Sequence, residues 1–450
     1  MIEEAFKAAK GKSILFLGRL KNFTQEEVTI FLKQYDATFT SELDENVAVV
    51  IESTMLTPPE EDISYTVYKQ KLPTFRLDMF ETLYAEKITP DSLLMALKLS
   101  NDQDRLIRLL KNEAFDKSLY LKLFKLYDWR GEGVHESDEN RDVTTTFVKR
   151  FYNPEQFMDP AMVYSPITLM SIVAESEDAE VLDAMLTMPH YEIKVSKGEK
   201  RPKTLKEMIA INPCASYETL TQLSRFKNQG IDYFLVHNDT LSHTLQTSIY
   251  ERANGDIKVM LAQNENLSDE LFEKLLEEEE VIVQNLLVYQ KMNIARLEKS
   301  KDSKVFEVLG ENEHIVEILP QLLEMDNLPL QRRLASNPMV QTADLESIYA
   351  RYHDKVTADL CSNPNLSTIM IETFAKEGRY DEILAANPST PTNILVAYFD
   401  QADETLNMAL ASNESLPIAY LQQFQLDPLL MNTLSNNETF TKNILNGLGI

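Results

Sequence analysis

The apolar positions in the second half of the chain repeat on a scale longer than one helix. LASNPMVQTADLESIY, LCSNPNLSTIMIETFA, LAANPSTPTNILVAYF and LASNESLPIAYLQQFQ begin at Leu334, Leu360, Leu384 and Leu410. In each, an apolar residue stands three before an asparagine, a small residue two before it, and Leu or Ile seven or eight after it. IAINPCASYETLTQL and MLAQNENLSDELFEKL obey the same frame. The asparagines are Asn212, Asn238, Asn264, Asn312, Asn337, Asn363, Asn387, Asn413 and Asn437, with Gln290 filling the gap in a spacing of about 24 to 26 residues. A period of that size predicts stacked repeats that bury their apolar faces on one another. Each unit has room for a helix of about ten residues, a turn and a shorter second helix.

The residues beside the asparagine shape that turn. A helix ends at L-A-x-N because the residue before proline leaves the helical region, while Pro suits the first turn of the next helix. The Asn amide donates and accepts, so it can satisfy backbone groups left open by the break. All nine asparagines are expected to be structural turn residues, since a reaction needs one site and a fold needs every copy. Less regular copies before residue 205 place Asn112, Ser165 and Met188 at the same position. Two polar segments interrupt the rhythm, around 129–147, which opens on the sole Trp, and 190–207, the one basic run.

The first ninety residues follow a different pattern. SILFLG reads as a buried strand, FTQEEVTIFLKQYD as a helix capped by Thr24, ATFTSEL and NVAVVIES as strands, DISYTVYKQK as a helix, LPTFRL as a strand and DMFETLYAEK as a closing helix. This βαββαβα order predicts a small, mostly parallel sheet flanked by helices. The expected fold is mainly α, an α-helical solenoid of about 24-26-residue repeats behind a small α/β domain. The expected boundaries are 1–87 for the α/β domain, 88–204 for degenerate repeats with insertions, and 205–450 for the regular array.

Composition narrows the function. The chain has 450 residues, 44 basic and 71 acidic, for a formal charge of -27. That balance repels a phosphate backbone over most of the surface and counts against general nucleic-acid binding. Cys214 and Cys361 stand far apart without a partner motif, which fits a reducing compartment and excludes a cysteine-built metal site. No segment reaches the apolar length of a signal peptide or a membrane span, so a cytoplasmic location is expected. The sequence contains no glycine-rich phosphate loop, no H-E-x-x-H and no G-x-S-x-G. His237 and His243 are not at i and i+4, and Glu277 to Glu280 reads as a solvated helix end.

Over residues 11 to 87 the segments FLGRL, QYDATF, VAVVIES and LPTFRLDMF resemble a BRCT domain. The resemblance implies a protein-binding head in which Phe80 packs where the family commonly has Trp. Tyr35 and Asp36 stand where it often has paired glycines. Leu17 replaces the hydroxyl residue that phosphate-binding members place before the first-strand glycine, which leaves Arg19 and Lys69 as the basic residues near such a pocket. The L-A-x-N-P repeats resemble the leucine-rich repeat variant family, and this resemblance implies α-helices alternating with short 3₁₀-helices. Some members carry an N-terminal iron-sulfur module, but this chain lacks the cysteines and no cofactor is carried over.

The resulting expectation is a non-enzymatic scaffold or adaptor, without metal or cofactor, whose acidic array meets a protein partner with a basic surface. The alternative is a DNA-repair or replication accessory factor anchored through the head. Candidate contact residues are Arg19 and Lys69 in the head and Lys197, Lys200, Arg201 and Lys203 in the basic insertion. Neither reading involves a membrane.

Overall fold

After Ser13, SILFL is apolar at every position because both of its faces are covered. The computed structural model describes residues 1–20, 22–131, 133–152, 166–189, 192–193, 203–401 and 403–448. In it β1 (Ser13–Leu17) is buried throughout and lies between β2 (Thr38–Thr40) and β3 (Val47–Glu52), with β4 (Thr74–Arg76) beyond β3. All three pairings are parallel, with Leu15 opposite both Thr40 and Val50. Parallel strands need crossover connections, and three helices follow the expected order: α2 (Gln25–Lys33), α3 (Pro58–Gln70) and α4 (Leu77–Lys87). α2 and α3 start on capping boxes, Thr24 with Glu27 and Thr57 with Glu60.

Alternation along β1 divides the core between the two faces. Leu15 and Leu17 pack with Val47, Val50 and Val67 of α3. On the other face Phe16 meets the edge of Phe80 at 5.3 Å, and Phe6, Phe23 and Phe31 close around the same fully buried ring. Phe6 comes from a helix that the sequence reading missed, α1 (Ile2–Ala8), whose EEAFKA pattern offers little beyond Ile2 and Phe6 for the core. The sequence-based strand over 37–43 shrinks to three residues, and the helix expected from 62 begins at Pro58. Asp36 takes φ 54, so this turn adopts the left-handed backbone that a glycine would hold at less cost.

The remainder is mainly helical, and the chain divides into two compact units, Met1–Leu235 and Val236–Ile450. In the first unit α5 (Pro90–Ser100), α6 (Gln103–Leu110), α7 (Lys117–Phe124), α8 (Asp138–Phe151), α9 (Pro166–Glu175), α10 (Ala179–Met185), α11 (Leu205–Ile211), α12 (Tyr217–Arg225) and α13 (Gln229–Leu235) follow the sheet domain. α9, α11 and α13 pack in succession, and α6 packs on α8. Arg105 and Arg108 reach back from α6 to Glu27 of α2, at 2.8 and 3.6 Å. Much of the polar segment expected as an insertion over 129–147 is therefore α8, with Val143, Phe147 and Val148 buried.

In the second unit one helix of each repeat packs on its counterpart in the next. The series is Gly255–Gln263, Glu280–Tyr289, the 3₁₀-helix Phe306–Glu311, Leu328–Ser336, Thr357–Cys361, Asp381–Ala386, Glu404–Ser412 and Met431–Asn436. Other helices alternate with them, several started by Ser242, Ser268, Asn293 or Ser367, each accepting from a backbone N–H three residues on. The repeat between Gln290 and Asn312 spans only 22 residues, and its 3₁₀-helix sits close to the next one. A Cβ at Gly310 would stand 2.7 Å from the Arg333 Cβ and 2.8 Å from the Leu330 carbonyl, so only glycine fits there.

Candidate functional site

The recurrent asparagines all point inward. Asn212, Asn238, Asn264, Asn312, Asn337, Asn363, Asn387, Asn413 and Asn437 are buried, none more than 6% exposed. From Asn337 to Asn413 one pattern recurs. The Nδ2 of Asn363 donates to Ala335 O at 2.9 Å and to Asn337 O at 2.8 Å, and its Oδ1 accepts from the Asn365 N–H at 2.8 Å. Asn387 does the same with Cys361 O, Asn363 O and the Ser389 N–H, and Asn413 with Ala385 O, Asn387 O and the Ser415 N–H. Each amide thus spends both donors on the preceding repeat and accepts from its own turn, which commits the side chain to the frame.

Departures from the pattern have local causes. Gln290 donates to Ala262 O and Asn264 O at 2.8 Å, while its carbonyl meets Arg296 Nη1 at 3.3 Å in place of a local N–H. Arg296 also donates to Leu267 O and Asp269, with its guanidinium over the Phe272 ring. Asn212 donates to Val173 O and Ser176 O, 39 and 36 residues back. Ser176 accepts the Asp178 N–H at 3.2 Å, the bond an asparagine makes in the other turns. The position expected at Met188 is therefore Ser176, because the basic insertion lies inside this repeat and lengthens it. Ser165 lies outside the described residues. At the far end Thr441 closes the ladder, its N–H on Asn437 O and its hydroxyl on Ser435 O.

With the turns turned inward, many of the helix positions one and five before an asparagine form an accessible row. His237, Tyr289, Glu311, Ser362, Ala386, Ser412 and Asn436 are exposed at the first of these positions, and Arg332, Glu382, Met408 and Asn432 at the second. Neighbouring repeats join along this row through Gln263 and Asn285 at 2.7 Å, Arg332 and Asp359 at 2.8 Å, and Arg333 with Glu311. Sequence reasoning fixed on the asparagines and missed these positions, although the same period marks them.

In the head, the glycine ending β1 has φ +82, and a Cβ there would lie 2.7 Å from the Met55 carbonyl. The Gly18 N–H donates to Glu60 Oε1 at 2.9 Å, and Thr57 donates to Glu60 Oε2 through its N–H and hydroxyl, both at 2.7 Å. These bonds hold the Glu60 carboxyl below its usual range, Thr57 contributing most. A built-in carboxylate therefore occupies the glycine N–H that an incoming phosphate would need. Arg19 and Lys69 are exposed, and the Lys69 ammonium rests 4.2 Å above the Tyr65 ring.

In the basic segment, Lys197, Lys200 and Arg201 lie outside the described residues. Lys203 is half-buried in a two-residue strand paired antiparallel with Ile193. Lys206 is also half-buried, 4.4 Å over the Phe226 ring, and burial pulls its ammonium down. The polar loop before α8 is held by Asn140, which donates to Arg130 O and Gly133 O and accepts from the Tyr127 hydroxyl.

The acid run at 277–280 is not uniformly solvated. Glu278 accepts from the Tyr250 hydroxyl at 2.5 Å and the Lys258 ammonium at 2.7 Å, so one of the four ties two helices together. Cys361 is buried and its thiol is pushed up to about 12 by burial and the nearby Glu377, whereas Cys214 is half-buried. Among the described residues no group of three or more His, Cys, Asp or Glu is placed to hold a metal ion, and no helix is long and apolar enough to cross a membrane. Compared with known proteins, the chain matches no family model, no curated protein and no solved structure.

Proposed function

We propose that the chain is a non-enzymatic scaffold or adaptor: a BRCT-like head followed by a solenoid of leucine-rich repeat variant type, working in the cytoplasm and holding a protein partner along its repeats. The observation that carries this reading is the recurrence of one asparagine bonding pattern from repeat to repeat. A backbone frame repeated in that way leaves the outward helix positions free to vary, which is how repeat arrays present extended binding surfaces. The formal charge of -27 favours a partner with a basic or mixed surface. The all-parallel sheet, the aromatic cluster around Phe80 and the left-handed turn at Asp36 support the BRCT-like reading of the head. Glu60 on the Gly18 N–H weighs against phosphate or DNA-end recognition there, and so against the repair or replication alternative.

The test is affinity capture with the full chain, with and without nuclease, alongside Tyr289→Ala and Met408→Ala, which alter side chains 51% and 58% exposed on the repeat row. The expected result is a protein retained after nuclease, released as salt is raised and weakened in at least one variant. Capture that disappears with nuclease, or that depends on Arg19 and Lys69 instead, overturns the proposal.

A further inference from the structure

The parallel strands of the head end at a cleft of about 950 Å³ within the first unit. Its floor includes Ser53 and Thr54, which follow β3, and Arg76 at the end of β4, and α8 supplies its far wall. Open parallel sheets hold ligands in the crevice outside the carboxyl ends of their strands, and small-molecule sites have volumes of this order. Most such sites are apolar; this one is lined largely by hydroxyls, amides and charges, so its occupant must be hydrophilic.

Two features give that occupant a sign. Ser53 is 9% exposed, and its hydroxyl has no hydrogen-bond partner among the described residues. A buried hydroxyl calls for a partner, and a ligand in the cleft would supply one. The cations are unevenly committed. Arg76 pairs with Asp78 and Lys111 with Asp142, both at 2.7 Å. Lys149 and Arg150, adjacent in the last turn of α8, have no carboxylate within ion-pair distance among the described residues. Arg150 is half-buried, donates to Phe115 O and lies 4.6 Å over the Tyr120 ring, and burial lowers its affinity for its proton. Of the other lining acids, Glu81 accepts from Asn22 and Glu113 is exposed. In a chain of charge -27 two cations without a carboxylate partner, lining the same cleft as an unpaired buried hydroxyl, form a local exception.

We propose that this cleft binds a small hydroxylated organic anion, its acid group held between Lys149 and Arg150 and its hydroxyls meeting Ser53 and Thr145. A carboxylate and a phosphate monoester share that chemistry, and the test separates them. The assignment does not depend on the repeat surface and could stand without it.

The experiment is calorimetric titration of the full chain in low-salt buffer with citrate, glucose 6-phosphate and glucose. Saturable binding of citrate or of glucose 6-phosphate is expected, with none for glucose. Lys149→Gln and Ser53→Ala should each weaken that binding at least about tenfold, the loss typical of one charge-assisted or buried hydrogen bond. Lys149 is exposed, so its variant keeps the fold even where a change at Arg150 disturbs Tyr120. Lys206→Gln, at α11, should leave the affinity unchanged. Absence of saturation with both anions, equal binding of glucose, or anion binding indifferent to Lys149→Gln and Ser53→Ala would overturn the assignment.

Discussion

An asparagine side chain is short enough to keep its carbonyl over its own turn while its amide reaches the turn before, and neighbouring residue types show what that length secures. Gln290, one methylene longer, keeps both amide bonds but loses the local one; the Met292 N–H turns to His314 O at 3.1 Å and Arg296 serves the glutamine carbonyl. Ser176, which has no amide, keeps only the local bond. Glu60 applies the same logic with a charge, since its carboxylate gathers the Thr57 N–H, the Thr57 hydroxyl and the Gly18 N–H. Its pKa in the folded chain lies below the usual 4.5, so the stabilisation is present at neutral pH and is lost as pH falls through the folded value. Glu60→Gln should therefore lower the melting temperature near pH 7, with the difference from the parent closing as pH falls through the folded value. A difference that stays constant over that range would mean that the carboxylate charge is not its source. At this scale the sequence was legible where one residue type has one use: Thr24 before the acids of a first helical turn, or Phe80 as a bulky aromatic. It was silent on Glu60, whose partner Gly18 lies 42 residues away.

Between elements, the asparagines do the joining. Asn363→Ala would leave Ala335 O and the Asn365 N–H without the partners they have here, and Asn337 O with the Val340 N–H alone. Each buried group so stranded costs about 1–3 kcal/mol, and part of this is recovered by relaxation. The expected loss is at least about 2 kcal/mol in urea unfolding, with the slope against urea unchanged. Glu372→Ala, an exposed change nearby, should stay within about 0.5 kcal/mol. An Asn363→Ala chain as stable as its parent would reduce the ladder to a by-product of helix stacking. The period of these elements could be read from sequence because every turn needs the same donor and acceptor. Where an insertion enters a repeat the count fails, and Met188 was reached in place of Ser176. α8 hid for another reason: its first turns are polar, and Val143, Phe147 and Val148 emerge only over its later ones.

On the scale of the whole chain, the ladder also indicates where a cut would be tolerated. A fragment starting at residue 205 would keep Asn212 but remove Val173 O and Ser176 O, the carbonyls its amide serves. A fragment of residues 236–450 keeps both partners of every later amide from Asn264 onward, beginning with Val236 O and Asn238 O. It coincides with the second compact unit. Packing in that unit runs between successive repeats, so little of it spans long sequence distances, and such arrays fold from local contacts. Residues 236–450 alone should therefore give a helical circular dichroism spectrum and a cooperative urea transition, whereas residues 205–450 should gain no stability from their 31 added residues. A shorter fragment without a cooperative transition would mean that the second unit depends on the first for its stability. A longer fragment clearly more stable than the shorter would show that α11 to α13 belong energetically with the later array.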